Sequence, residues 1–143
     1  MATQLAVDPV PERCVIVVDE ALPAGLAANA AAVLALTLGA RIPQLVGADF
    51  ADADHRPHPG LIPMGLPVLK APRPDLGIIA EKARAAGLDV IGFPAAGQTT
   101  NDYEDFRATV ARTPSRELEY LGLTVAGPKR AVGRLTGSLA LLR

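Results

Sequence analysis

From Leu22 to Ala40 the chain runs for 19 residues without a charged side chain. A segment of that length and character either crosses a bilayer or packs as a helix against a soluble core. Its composition favours the core. The stretch is alanine-rich, carries Pro23, Asn29, Thr37 and two glycines, and directly follows Cys14–Val18, an uninterrupted apolar run of the kind found in a strand covered on both faces. A strand, a tight loop and a helix are expected, the opening unit of an α/β fold, with no membrane partner. Pro23 stands where a helix can begin, Asp19 and Glu20 lie near its positive end, and Gly39 offers a stop after Leu38. Leu22, Leu26, Asn29, Val33 and Leu36 recur at three- and four-residue intervals, which predicts that they share the buried face. An amide within that stripe needs matched partners, so Asn29 is expected to bond a neighbouring loop or a ligand.

Residues 1–12 are polar and Pro-punctuated, as in an extended lead-in. Residues 43–74 hold seven of the 13 prolines and show no helical period. Gln44–Ala48 and Leu66–Lys70 read as short strands flanking a projecting hairpin at Asp52–Gly60, and Pro63 and Pro67 confine the return segment to a sheet edge or an extended arm. A second helix is expected from Asp75 to Gly87, with Leu76, Ile79, Ala80 and Ala83 on its buried stripe. Leu88–Phe93 reads as another buried strand. The Ala95–Thr100 corner then leads into a helix with Asn101 and Glu104 spaced as a capping box and Tyr103, Phe106 and Val110 on one face, ended by Pro114. Glu117–Ala126 is the last long strand candidate, followed by a short basic helical turn and Leu139–Leu142.

Of 143 residues, 50% are apolar, and 26 of those are alanine against 37 Leu, Val and Ile, with five aromatics and no Trp. This suits a single, tightly packed, aromatic-poor α/β domain over residues 1–143. The net charge of -1 excludes a broad positive field for nucleic acid. Cys14 has no disulfide partner in the chain and sits among Val and Ile, as a buried small hydrophobe would. Met1–Pro11 lacks the basic start and apolar centre of a secretory signal, so a reducing, cytoplasmic setting is expected.

Ligands of α/β sheets bind beyond the carboxyl ends of strands. Asp19 follows the first strand, and the corner follows the Leu88–Phe93 strand. If these strands are neighbours, Gly97 gives close backbone approach, Gln98, Thr99 and Thr100 supply neutral hydrogen-bonding groups, and the helix start at Asn101 offers unpaired N–H groups. The bland alternative is that Thr99 and Thr100 only cap a helix. Asp52, Asp54, His55 and His58 have the side-chain types of a zinc site, but turns are commonly rich in Asp and the spacing is more simply a solvated hairpin tip, so no metal or other cofactor is expected. Lys129, Arg130 and Arg134 form a small basic patch. A nucleophile elbow, a P-loop and a dinucleotide glycine pattern are all missing from the sequence.

Arg13–Asp19, Ala27–Ala31, Phe93-Pro94 with Gly97–Thr99, Asp102-Tyr103, and Gly127-Pro128 through Leu135–Leu142 closely resemble the domain of unknown function 2000 family across nearly the whole chain. That family is similar in turn to the peptidyl-tRNA hydrolase type II fold. The resemblance implies a mixed, mostly parallel sheet of about four strands sandwiched by helices. The enzymes of that fold carry Gly-Lys-x-Ala-Ala-Gln on the first helix, which falls on Ala24–Asn29, and Asp-Ala-Gly-x-Thr, which falls on Ala95–Thr99. The lysine position is Gly25, the glutamine position Asn29 and the aspartate position Ala95, while the threonine survives as Thr99. Neither Gly25 nor Ala95 can activate water or stabilise an oxyanion with a side chain. Residues 101–143 hold seven Arg or Lys against five Asp or Glu, a weak grip for tRNA.

Three functions remain open. One is binding of a small polar ligand near Asn29, Gln98 and Thr99, with Gly97 and Thr100 alongside. Another is an acyl or peptidyl-tRNA hydrolase in which Thr99, Asp19 or a relocated group replaces the missing charges. The third is a structural module associating through residues 43–74. A homodimer is expected from the resemblance and from the apolar content.

Overall fold

In the computed structural model, which describes residues 10–143, the apolar run lies within strand β1 (Arg13–Asp19), and Cys14–Val18 are at most 1% exposed. Most of the expected lead-in lies outside the described residues. β1 is central. It pairs antiparallel with β6 (Tyr120–Gly127), from Cys14 opposite Ala126 to Val18 opposite Gly122, and parallel with β4 (Val68–Ala71), from Ile16 opposite Val68 to Asp19 opposite Ala71. β5 (Asp89–Pro94) adds antiparallel to β6, and the two-residue β7 (Ala140–Leu141) adds antiparallel to β4, giving the order β5-β6-β1-β4-β7. The sheet is mixed, as expected, but it has five strands and only β1 and β4 are parallel. Residues 95–119 explain part of this: they leave and return at the same end of the sheet, closed by the Ala95 N–H donating to the Glu119 carbonyl at 2.8 Å, so β5 and β6 run in opposite directions.

Side chains alternate along β1. Val15 and Val17 face helix α2 (Arg73–Ala85) and helix α4 (Lys129–Thr136), and Ile16 and Val18 face helix α1 (Ala24–Arg41). Helices on both faces are the reason the strand shows no polar alternation. In α2 the expected stripe of Leu76, Ile79, Ala80 and Ala83 is the buried one. The helix ends before Gly87, whose φ of +76° suits a residue without a Cβ.

The face of α1 differs from expectation. Ala27, Ala30, Leu34 and Leu38 are buried, whereas Leu26, Val33 and Leu36 are 46%, 40% and 77% exposed, and Asn29 is exposed beside them. A helix that is apolar on every side gives periodicity nothing to select. The choice is made by fit. At Gly122 in β6 an added Cβ would stand 2.9 Å from the Val17 carbonyl and 3.1 Å from Leu34 Cδ1, so Leu34 packs over a position that has no side chain. α1 also passes Gly39 and ends at Arg41, whose guanidinium pairs with Asp89 at the start of β5. Its length and hydropathy would allow it to cross a bilayer, but it packs along the sheet.

The Pro-rich region contributes less strand than its sequence suggests. Pro43–Leu45 is a 3-10 turn rather than the start of a strand, and the projecting hairpin is a minimal pair, β2 (Phe50–Ala51) with β3 (Pro57–His58). The return segment becomes β4, which lies inside the sheet and not at its edge. Pro67 is compatible with that place because it precedes the strand and serves as acceptor, its carbonyl taking the Ile16 N–H at 3.0 Å.

Candidate functional site

β1 and β5 are both antiparallel to β6, so their carboxyl ends lie at one end of the sheet, but they are not neighbours: β6 runs between them. Asp19, at the end of β1, is 3% exposed and fully engaged. Its Oδ1 accepts the Ala21 N–H at 2.9 Å, and its Oδ2 accepts Arg73 Nε at 2.7 Å. Arg73 Nη1 also reaches Glu119 Oε1 at 3.4 Å. The hydrogen bond that Arg73 donates to Asp19 holds the Arg73 guanidinium pKa above its ordinary value. This arrangement ties the ends of β1 and β6 to the start of α2, with one hydrogen-bond partner on each Asp19 oxygen.

The corner after β5 is a 3-10 turn, Ala95–Gln98. The hydroxyls of Thr99 and Thr100 both donate to the Ala96 carbonyl, at 3.3 and 2.9 Å. Gln98 and Thr99 are exposed, while Thr100 is half-buried. Gly97 permits the turn to fold onto the preceding strand, since a Cβ there would stand 2.6 Å from Phe93 Cε1. Helix α3 (Tyr103–Ala111) begins one residue later than the expected capping box: Asp102 is the N-cap, its Oδ1 accepting the Asp105 N–H at 2.8 Å, and Asp105 Oδ2 accepts the Asn101 N–H at 3.4 Å.

A groove of about 520 Å³ opens between α1, β5 and this corner. Val33, Leu34 and Thr37 form its α1 wall, Ile91–Pro94 its floor, and Gly97, Thr100, Asn101, Asp102, Tyr103 and Phe106 the remaining side. Most of the lining is apolar, with Thr37, Thr100, Asn101 and Asp102 as polar exceptions. Tyr103 and Phe106 stack with ring centroids 6.0 Å apart, and no residue of α3 is fully buried. Of the expected ligand residues, Gly97 and Thr100 line the groove. Asn29, Gln98 and Thr99 do not, and Asn29 points outward because the buried face of α1 is the opposite one. The residues that sequence reasoning missed are Val33, Thr37 and the β5 floor. The Tyr103–Phe106 stripe was the available signal, since it lies on a short helix with few other apolar residues to join it to a core.

At the hairpin tip, His58 Nε2 lies 2.9 Å from Asp52 Oδ2 and stacks on Phe50 with centroids 5.3 Å apart. Asp52 Oδ1 also accepts the N–H groups of Asp54 and Arg56. Its carboxyl is held below the usual carboxylate range, first by the His58 hydrogen bond. Among the described residues no three His, Cys, Asp or Glu side chains gather as metal ligands.

The fold is similar to that of a protein of unknown function from Agrobacterium tumefaciens strain C58, with a TM-score of 0.82 and 13% identity over 90% of this chain and 96% of that one. At that identity the likeness concerns the fold. No curated protein matches the sequence. The family model described as protein of unknown function (DUF2000) matches residues 12–143, and the chain belongs to that family.

Proposed function

We propose that the protein binds a small ligand in the groove between α1, β5 and α3. The observation that carries this reading is the concave, mostly apolar lining with polar groups confined to Thr37, Thr100, Asn101 and Asp102, a division typical of small-molecule sites. The ligand then has an apolar body and a polar end, a revision of the small polar ligand expected near Asn29 and Thr99. Asp102 is the only carboxylate in the lining, and its Oδ1 already caps α3. The likeness of Ala24–Asn29 and Ala95–Thr99 to hydrolase signatures supports a shared fold, while Gly25 and Ala95 leave the catalytic positions uncharged. The reading is therefore binding without hydrolysis.

A thermal-shift screen of small amphipathic molecules tests it. A native-state binder at about 100 times its Kd adds about 2.7 kcal/mol of apparent stability. Hits are expected to stabilise the wild type and not Val33→Arg, a substitution at a 40% exposed position that places a guanidinium in the groove. Equal stabilisation of both proteins, or none of either, rejects the groove.

A second surface supports the homodimer. The outward face of α1, with Asn29, Ala32 and Leu36, has no charge along its length, and Leu36 is 77% exposed. A second copy of that face can cover it without burying an unpaired charge. Leu36→Glu is expected to shift sedimentation from dimer to monomer, and a wild type that remains monomeric at high concentration rules the dimer out.

A further inference from the structure

The sheet ends on one side in β7, only two residues long, and on the other in β5, which has six. Apart from its ladder with β6, no hydrogen bond among the described residues reaches a backbone group of residues 89–94. Alternate residues of an antiparallel strand turn their N–H and C=O groups away from the partner, so β5 presents an unpaired row at its outer edge. Proteins commonly guard such edges with charges, prolines or bulges. From Val90 to Phe93 there is neither a charge nor a proline, the one ladder irregularity falling at the strand's end between Phe93 and Pro94, and Ile91, Gly92 and Phe93 contribute to the groove floor. Val33 of α1 and Phe106 of α3 also line this space.

We infer that the groove takes an extended peptide segment as a sixth strand, antiparallel to β5, with alternate apolar side chains set between α1 and α3. The inference rests on the groove being a binding site. Charge sets the direction. At the Pro94 end the groove meets Asp102, with Asp105 following in the first turn of α3; at the Asp89 end the Arg41 charge is matched by Asp89, which leaves that end neutral. An antiparallel peptide brings its amino terminus to the acidic end, whereas a parallel one sets its carboxylate there. The partner is therefore an apolar, extended segment with a free or basic amino-terminal end.

The probes are hexapeptides Lys-x-Thr-x-Thr-x with free termini, x being Val, Leu or Phe, together with versions N-methylated at alternate amides and versions with Glu in place of Lys. Binding is measured by titration calorimetry, and β5 amides are followed by hydrogen exchange. At least one parent peptide is expected to bind and to slow exchange at alternate residues of β5; N-methylation of the edge-facing amides and Glu at the first position should each weaken it at least tenfold. Val33→Arg is expected to abolish binding. Equal binding of N-methylated peptides, or unchanged β5 exchange, overturns the added strand. If no peptide binds while small molecules still stabilise the protein, the peptide is rejected and the groove reading survives; if neither binds, both fall. Protection of β5 that grows with protein concentration alone assigns the edge to a second copy and overturns the proposal.

Discussion

Asp19 and Arg73, separated by 54 positions in sequence, meet in a 2.7 Å ion pair at the carboxyl end of β1 and the start of α2. The aspartate is 3% exposed and the arginine 30%, so the pair is well shielded from solvent on one side. Arg73→Ala leaves a buried carboxylate with only the Ala21 N–H as partner. The expected loss is about 2–4 kcal/mol of unfolding free energy, read as a lower urea midpoint at unchanged slope. Ligand affinity of the groove should not change, because neither residue lines it.

The choice of buried face on α1 can be tested by truncation. Leu34→Ala removes a side chain that is 1% exposed and should cost about 2–5 kcal/mol. Leu36→Ala, at a position 77% exposed, should stay within about 0.5 kcal/mol of wild type when both are measured at a concentration where sedimentation shows monomer. Similar losses at the two positions, measured by chemical denaturation, would mean that the helix buries the other face.

Acid should loosen the hairpin tip as Asp52 takes up its proton. The Asp52 carboxyl is depressed by His58 and by the N–H groups of Arg56 and Asp54. A carboxyl whose folded value lies below its unfolded value contributes stability above the ordinary carboxylate range and loses it as the pH falls through the depressed folded value. Amide shifts of Asp54 and Arg56 should follow that titration in an NMR series, and Asp52→Asn should remove it.

Cys14 should resist alkylation in the native protein. Burial pushes its thiol pKa up, with the charge of Asp89 acting in the same direction, and the thiolate is the reactive form. Mass spectrometry after iodoacetamide at mildly alkaline pH is expected to show no adduct until the chain is unfolded. Rapid native labelling would mean that β1 opens locally.

Where one physical effect dominated, the elements were legible in the sequence. Cys14–Val18 could only be a covered strand, and Leu76, Ile79, Ala80 and Ala83 contrast sharply with the charged side of α2, so the period identified the buried face. The same reasoning failed on α1, where Leu26, Val33 and Leu36 are as apolar as Leu34 and Leu38. Leu88–Phe93 was legible as a strand but not as an edge, because composition does not reveal which neighbour is missing. The groove shared both problems: two of its walls are the α1 flank and the β5 edge, and Gly97, Thr100, Asn101 and the Tyr103–Phe106 stripe marked it in advance.

By itself the sequence determined an α/β domain, a central strand at Cys14–Val18, a long charge-free helix after it, and the absence of charge at Gly25 and Ala95. These follow from local composition and period, which act between residues near one another in the chain. Tertiary structure alone decided that β6 separates β1 from β5, that Asp19 is spent on Arg73, and that the helix turns Asn29 outward and Val33 toward a groove. Those outcomes depend on close fit between distant surfaces, such as Gly122 beneath Leu34, and fit of that kind is a property of the assembled backbone.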